Sequence, residues 1–269
     1  MEDNKKSILP DIITPISNAM HKNLPATEKQ IDGVLSTVVG LFNNVVLYPV
    51  KKANMTFQYK LENFSHDLED KTAKIPNENL QVPPTMLAGP ILEALRYAYD
   101  EEELREMFEN LLVSSMDSRK VYKAHPSFVE VITQLSPFDA KVFRRMTEEK
   151  RLSLVHMVIR KNDNQSYYPN ALPYYFSPDI WEMGDPYAIS LSFCNLIRLG
   201  LLKSSIVFFS EEEISKVKEY QFVQRIYNQF PEDSAWIDVD AEGIAVELDS
   251  YGRAFADTCI DKEEIKNAD

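Results

Sequence analysis

Eighteen consecutive residues without a charge, Gly33 to Val50 (GVLSTVVGLFNNVVLYPV), run up to Lys51 and Lys52 and decide which solvent this chain can fold in. That length touches the lower limit for crossing a bilayer. The interior speaks against lipid, because Ser36, Thr37, Asn43, Asn44, two glycines and Pro49 make the run a poor hydrocarbon solute. A helix that is apolar around much of its circumference fits equally at the centre of a helical bundle. The run therefore predicts a helix buried against an apolar stripe over 104–112. A membrane span is disfavoured, and peripheral membrane association through 33–50 stays open. The N-terminus MEDNKKSILPD carries no apolar run of signal-peptide type, and Cys194 and Cys259 are too few for a disulfide framework or a thiolate cage. Both features point to the reducing cytoplasm.

Punctuation along the chain predicts a mainly α fold with a small β component: an N-terminal helical bundle followed by a winged-helix-like α+β module. Residues 1–75 read as an N-terminal helical segment. Pro76, Pro83, Pro84 and Pro90 then bracket a stretch that should not continue a helix, so a boundary is expected there. In the central helical region, 76–150, Leu104, Met107, Phe108, Leu111 and Leu112 fall on one helix face. The acids from Asp100 to Glu103 sit at that helix's N-terminal end, where the macrodipole favours anions. Ser136-Pro137-Phe138-Asp139 starts another helix with a cap, a proline at the first position and an acid in the first turn. Arg151 to Arg160 reads as a strand. Asp185-Pro186 opens a helix that stops at Gly200, and Ser210 with Glu213 opens one extending to about Gln229. Alternation at Ile237 and Val239, and again at Ile244, Val246 and Leu248, predicts a hairpin turning at Asp240 to Gly243. The module is placed at 151–260, with a terminal helix that puts Phe255 and Cys259 on one face, and 261–269 is an acidic tail.

Chemistry is sparse at the level of motifs. The histidines at 21, 66, 125 and 156 have no HxxxH or HExxH spacing, and no CxxC occurs, so no sequence-local metal set is expected. His125, before a proline at a helix start, reads as a capping or packing residue, with a general-base role the lesser alternative. Seven glycines form no phosphate cradle or nucleophile elbow. No cofactor is expected, no catalytic residue is nominated, and the chain leans away from being an enzyme. The net charge of −13 disfavours nonspecific nucleic-acid binding. Duplex DNA is disfavoured further because the helix before the expected hairpin, YAISLSFCNLIRLGLL, offers only Asn195 and Arg198 as base readers. The local basic clusters are Arg119, Lys120 and Lys123, and, after Ser136, a face with Lys141, Arg144, Arg145, Lys150 and Arg151. Such runs are usually solvated faces, so Arg144 and Arg145 are expected to meet acids of the chain itself, with phosphate docking at Lys141, Arg144, Arg145 and Arg151 the alternative. From Tyr167 to Trp181, six aromatics fall in fifteen residues: Tyr167, Tyr168, Tyr174, Tyr175, Phe176 and Trp181. Prolines 169, 173 and 178 exclude regular helix or a central strand. The segment is a loop that either covers the core or contacts a partner, since tyrosine and tryptophan combine apolar area with a polar handle.

Leu104 to Ser114, His125 to Ala140 (HPSFVEVITQLSPFDA), Leu199 to Leu202 (LGLL) and Leu248 to Cys259 (LDSYGRAFADTC) together resemble the abortive infection alpha (Abi-alpha) family of bacterial and prophage proteins, over roughly residues 30–260. Here Asp249-Ser250 stands where the family has a threonine before its glycine, and a long capped helix precedes the hairpin. The resemblance implies a role in defence against phage and supplies no catalytic residue. The leading expectation is a non-enzymatic defence protein acting through protein–protein contacts, with a protein partner or self-association. The alternative is a nucleic-acid-directed regulator docking through the basic face.

Overall fold

The computed structural model of the chain describes residues 26–43, 54–149, 151–163, 166–230, 234–239 and 242–261. It is mainly α with small antiparallel sheets. Within the described residues, those up to Asp100 together with Met107–Val129 form one compact unit, and Glu101–Glu106 with those from Glu130 onward form the other.

In the first unit, α1 (Ala26–Phe42) holds the first part of the uncharged run. Val34, Val38 and Phe42, spaced by four, are buried, while Ser36, Thr37 and Leu41 stay exposed. The helix therefore has one core face rather than an apolar circumference; residues 44–50 lie outside the described part. Its named partner is α2 (Asn54–Thr72): the Phe42 and Phe64 rings stack at 3.8 Å, with Tyr99 at 5.6 Å from Phe42. The Tyr99 hydroxyl donates to the Lys60 carbonyl at 2.8 Å. No helix among the described residues is long and apolar enough to cross a membrane. Next comes α3 (Thr85–Ala98), which corrects one expectation: Pro90 lies inside it. The carbonyl that proline leaves without a donor belongs to Met86, four residues back. Met86 is 72% exposed, so the loss falls on the solvent side of the helix. The stripe of α4 (Glu102–Met116) is buried throughout, from Leu104 to Leu112. A short α5 (Ser127–Thr133) follows, its first turn capped by His125, whose Nδ1 accepts from the Ser127 N–H at 3.2 Å.

The second unit, which also takes the first turn of α4 and the end of α5, continues with α6 (Pro137–Glu148). Ser136 caps it, and Asp139 reciprocates by accepting from the Ser136 N–H at 2.8 Å. The strand expected over 151–160 is two strands, β1 (Leu152–Leu154) and β2 (Met157–Lys161), and β3 (Tyr167–Tyr168) pairs with the latter. Then follow α7 (Pro186–Arg198), β4 (Leu202–Phe208), α8 (Glu211–Lys218), α9 (Gln221–Tyr227), β5 (Ala235–Val239), β6 (Glu242–Leu248) and α10 (Ser250–Cys259). The helix expected to reach Gln229 breaks at Tyr220, whose backbone is extended and whose ring meets Phe176 at 5.2 Å and Trp181 at 5.6 Å.

The expected hairpin does not form. One sheet has the order β1-β6-β4 and the other β3-β2-β5, so the two strands of that supposed hairpin belong to different sheets. Both run antiparallel to the 152–161 segment: Leu154 pairs with Ile244, then Met157 with Val239. The expected turn at Asp240 to Gly243 falls partly on 240–241, which lie outside the described residues.

Two glycines join the last elements. Gly200 ends α7 with φ +71°, a left-handed conformation that a side chain would strain. The chain then turns so that the Leu201 carbonyl accepts from the Asp249 N–H at 3.0 Å. Gly252, in α10, approaches that same carbonyl so closely that a Cβ would lie 1.9 Å from its oxygen. This contact seats Phe255 edge-on to Phe143 at 5.3 Å and buries Cys259.

Candidate functional site

The aromatic segment divides between core and surface. Tyr168 pairs with Ile159 at the margin of its sheet and its ring meets Phe230 at 4.4 Å. Eight residues further on, Phe176 exchanges two 2.9 Å backbone hydrogen bonds with Val155 and is fully buried. Leu172 and Phe176 join Val155, Met157, Ile159, Val217, Phe222 and Val223 in one apolar cluster, against which Tyr168 and Trp181 pack. The prolines explain the form, since a segment unable to continue a strand can still fold its rings inward.

Two of the six aromatics point outward: Tyr167 is 51% and Tyr174 55% exposed. Tyr174 leans on His156 at 4.5 Å and on Tyr175 at 4.6 Å. Half-buried Tyr175 has its phenol pKa raised by burial, reinforced by Tyr174 and Cys194. The segment is tied to α7 at two points. Ser190 Oγ accepts from the Tyr175 N–H at 3.0 Å, and the Tyr187 hydroxyl donates to the Ala171 carbonyl at 2.8 Å. Beside these ties α7 presents Tyr187, Leu191 and Cys194, all exposed and spaced four and three apart, with Leu191 at 69%. Sequence reasoning missed these three. Their spacing was readable, but the nearly apolar composition of the helix hid that Ile189, Phe193 and Leu196 already supply its core face.

The basic residues come together with acids. Lys141 pairs with Glu103 at 2.9 Å, Arg144 with Glu106, and Arg145 with both Glu148 and Glu149 at 2.8 Å. Burial would raise the Glu103 pKa, but the Lys141 hydrogen bond and the charges of Lys141 and Arg144 outweigh it and hold it low. Exposed Arg151 stands apart, before β1 and beyond the end of α6. The would-be base readers are also engaged. Asn195 Nδ2 donates to the Gln134 carbonyl and to Asp139, both at 3.0 Å, while Arg198 bonds Gln134 and Asn195.

Trp181 also borders a groove of about 580 Å³, together with Gly184, Pro186 and, from α9 and just after it, Gln221, Phe222, Gln224, Arg225 and Asn228. Of these, only Trp181 was nominated from sequence. The others escaped because 211–229 reads as one helix, although the amides at 221, 224 and 228 recur at helical spacing. Among the described residues no group of three or more His, Cys, Asp or Glu side chains could hold a metal ion.

A family model described as abortive infection alpha matches residues 56–259. No curated protein and no solved structure matches the chain.

Proposed function

The chain belongs to the abortive infection alpha family, and from that premise we propose that it protects a bacterial host from phage through contacts with a protein partner rather than through catalysis of its own. One observation carries this reading: the outward stripe of Tyr187, Leu191 and Cys194 on α7 adjoins Tyr174 and Tyr175. An isolated exposed apolar side chain needs no explanation, but adjoining ones supported by ordered backbone are what partner surfaces use. Docking of nucleic acid through Lys141, Arg144 and Arg145 has less support, because all three are paired with carboxylates of the same unit.

The test is a Leu191→Glu, Tyr174→Ser double variant, assayed by phage plating efficiency and by thermal unfolding. Both side chains are more than half exposed, so the unfolding midpoint should stay unchanged while protection and any co-purifying partner are lost. Full protection by a folded double variant would sink the proposal. Loss of protection in Arg144→Ala, Arg145→Ala with an unaltered midpoint would favour the basic face instead.

A further inference from the structure

The groove beside α9 combines three kinds of group that planar heteroaromatic ligands require. Its aromatic lining is half-buried Trp181, held edge-on against Tyr220, beside Phe222, which is buried and lies parallel to Phe176 at 6.4 Å. An indole face of this kind stacks on flat rings. Its polar lining is rich in carboxamides. Gln224 donates to the Lys218 carbonyl at 2.7 Å, whereas the side chains of Gln221 and Asn228 have no hydrogen-bond partner among the described residues. A carboxamide carries both a donor and an acceptor, which matches the mixed edge of a nucleobase better than a hydroxyl or a carboxylate does. The third group is a cation. The Arg225 guanidinium lies 5.8 Å from the Phe222 ring centroid and has no acidic partner among the described residues. A guanidinium held in this way is suited to a phosphate.

Size and charge narrow the choice. A space of about 580 Å³ falls within the roughly 300–1,000 Å³ typical of small-ligand sites. Arg225 is the only cationic residue among those lining the groove, and Glu182, Asp185 and Glu219 flank the lining residues in sequence. A phosphate chain running past one cation into acidic surroundings would be repelled, whereas a single phosphate would not. We propose that this groove binds a free nucleoside monophosphate, its base stacked on Trp181 and met at its edge by Gln221 and Asn228, its phosphate held by Arg225. The proposal does not depend on the protein-contact surface described above.

The chain has two tryptophans, Trp181 and Trp236, so titration of the full-length protein with AMP, GMP, CMP and UMP can be followed by fluorescence, with Trp181→Phe identifying the reporter. At least one nucleotide should give saturable quenching below about 1 mM, an affinity of roughly −4 kcal/mol or better. Arg225→Ala should weaken that nucleotide about tenfold, the size expected for losing a charge-assisted hydrogen bond, without changing the response to the matching nucleoside. Asn228→Ala should narrow the preference among the four bases. If Arg225→Ala fails to fold, Arg225→Lys keeps the charge, loses the planar fork and should show a smaller loss of the same kind. The proposal is overturned if none of the four saturates below about 1 mM, or if folded Arg225→Ala and Asn228→Ala both bind like the parent. It is overturned equally if a single strand of about eight nucleotides binds more tightly than every mononucleotide, with affinity falling steeply as salt rises, because the ligand would then be a strand.

Discussion

Replacing Gly252 with alanine adds one methyl group where the structure leaves no room. The new carbon would lie 1.9 Å from the Leu201 carbonyl oxygen, 2.7 Å from its carbonyl carbon and 3.0 Å from its Cα, all of them backbone atoms that no rotamer change can move. Restoring ordinary contact requires α10 and Leu201 to part by about 1.5 Å. That separation stretches the Asp249 N–H bond to the Leu201 carbonyl past hydrogen-bonding distance, at about 1 kcal/mol. It also draws Phe255 from its edge contact with Phe143, about 0.5–1.5 kcal/mol, and the strain that remains adds about 1–3 kcal/mol. The total is about 3–5 kcal/mol. At about 2–4 °C per kcal/mol for a chain of this size, the midpoint should fall by roughly 10 °C. Thermal unfolding followed by circular dichroism measures it, with Gly33→Ala as the control. Gly33 lies inside α1 with nothing within 4 Å of an added Cβ, so alanine there should stabilise by about 0.5–1 kcal/mol. Equal midpoints for Gly252→Ala and the parent would refute the reasoning, as would a larger loss from Gly33→Ala.

Three further outcomes can be checked in the same protein. Ser136→Ala should cost about 1 kcal/mol through the lost cap, and Asp139→Ala about 2 kcal/mol, because Asp139 serves both the Ser136 N–H and Asn195; urea unfolding should rank them in that order. Burial raises the pKa of both thiols, Cys259 well above the usual value, but only Cys194 is exposed; an aromatic disulfide reagent at neutral pH should therefore count one, slowly reacting, thiol in the folded protein and two after denaturation. Asp117 is held below the ordinary carboxylate range by hydrogen bonds from Arg119. Because its pKa is lower folded than unfolded, its contribution is fully present above about pH 4 and disappears as pH falls through the folded value. Urea midpoints of the parent and Asp117→Asn should accordingly differ near neutrality and converge in strong acid.

What was legible in the sequence was local. Ser136 with Asp139, Asp185 with Pro186, Ser210 with Glu213 and the stop at Gly200 all appear where the residues placed them, since a cap is decided within four residues. The alternation at 237–248 identified strands but not their partners. Pairing with 152–161 joins residues as far apart as Leu152 and Val246, and alternation says which side chains share a face, not which strand lies alongside. The aromatic segment was read as either core cover or contact surface; its side chains are divided between buried and exposed positions. Burial of Phe176 rather than Tyr174 follows from the backbone bridge at Val155, which no local pattern announces. For the basic cluster, pairing with acids of the chain was expected but the partners were not legible, because Glu103 and Glu106 lie almost forty residues before Lys141 and Arg144 and match their i, i+3 spacing only once the helices are placed.

At the margin of its sheet, β4 has β6 on one side and no strand on the other among the described residues, and it carries Ile206 at 63% and Phe208 at 82% exposure. Lys203, already paired with Glu247, is its single charge. Charges and prolines are the usual guards of such a margin, and here they are scarce. The consequence concerns dosage. Encounters between uncapped margins grow with the square of copy number, so strong overproduction should drive the chain into insoluble material while a few copies per cell remain dispersed. A host carrying this gene is then served by weak, steady synthesis, and a charge placed at Phe208 should raise the soluble yield from a strong promoter.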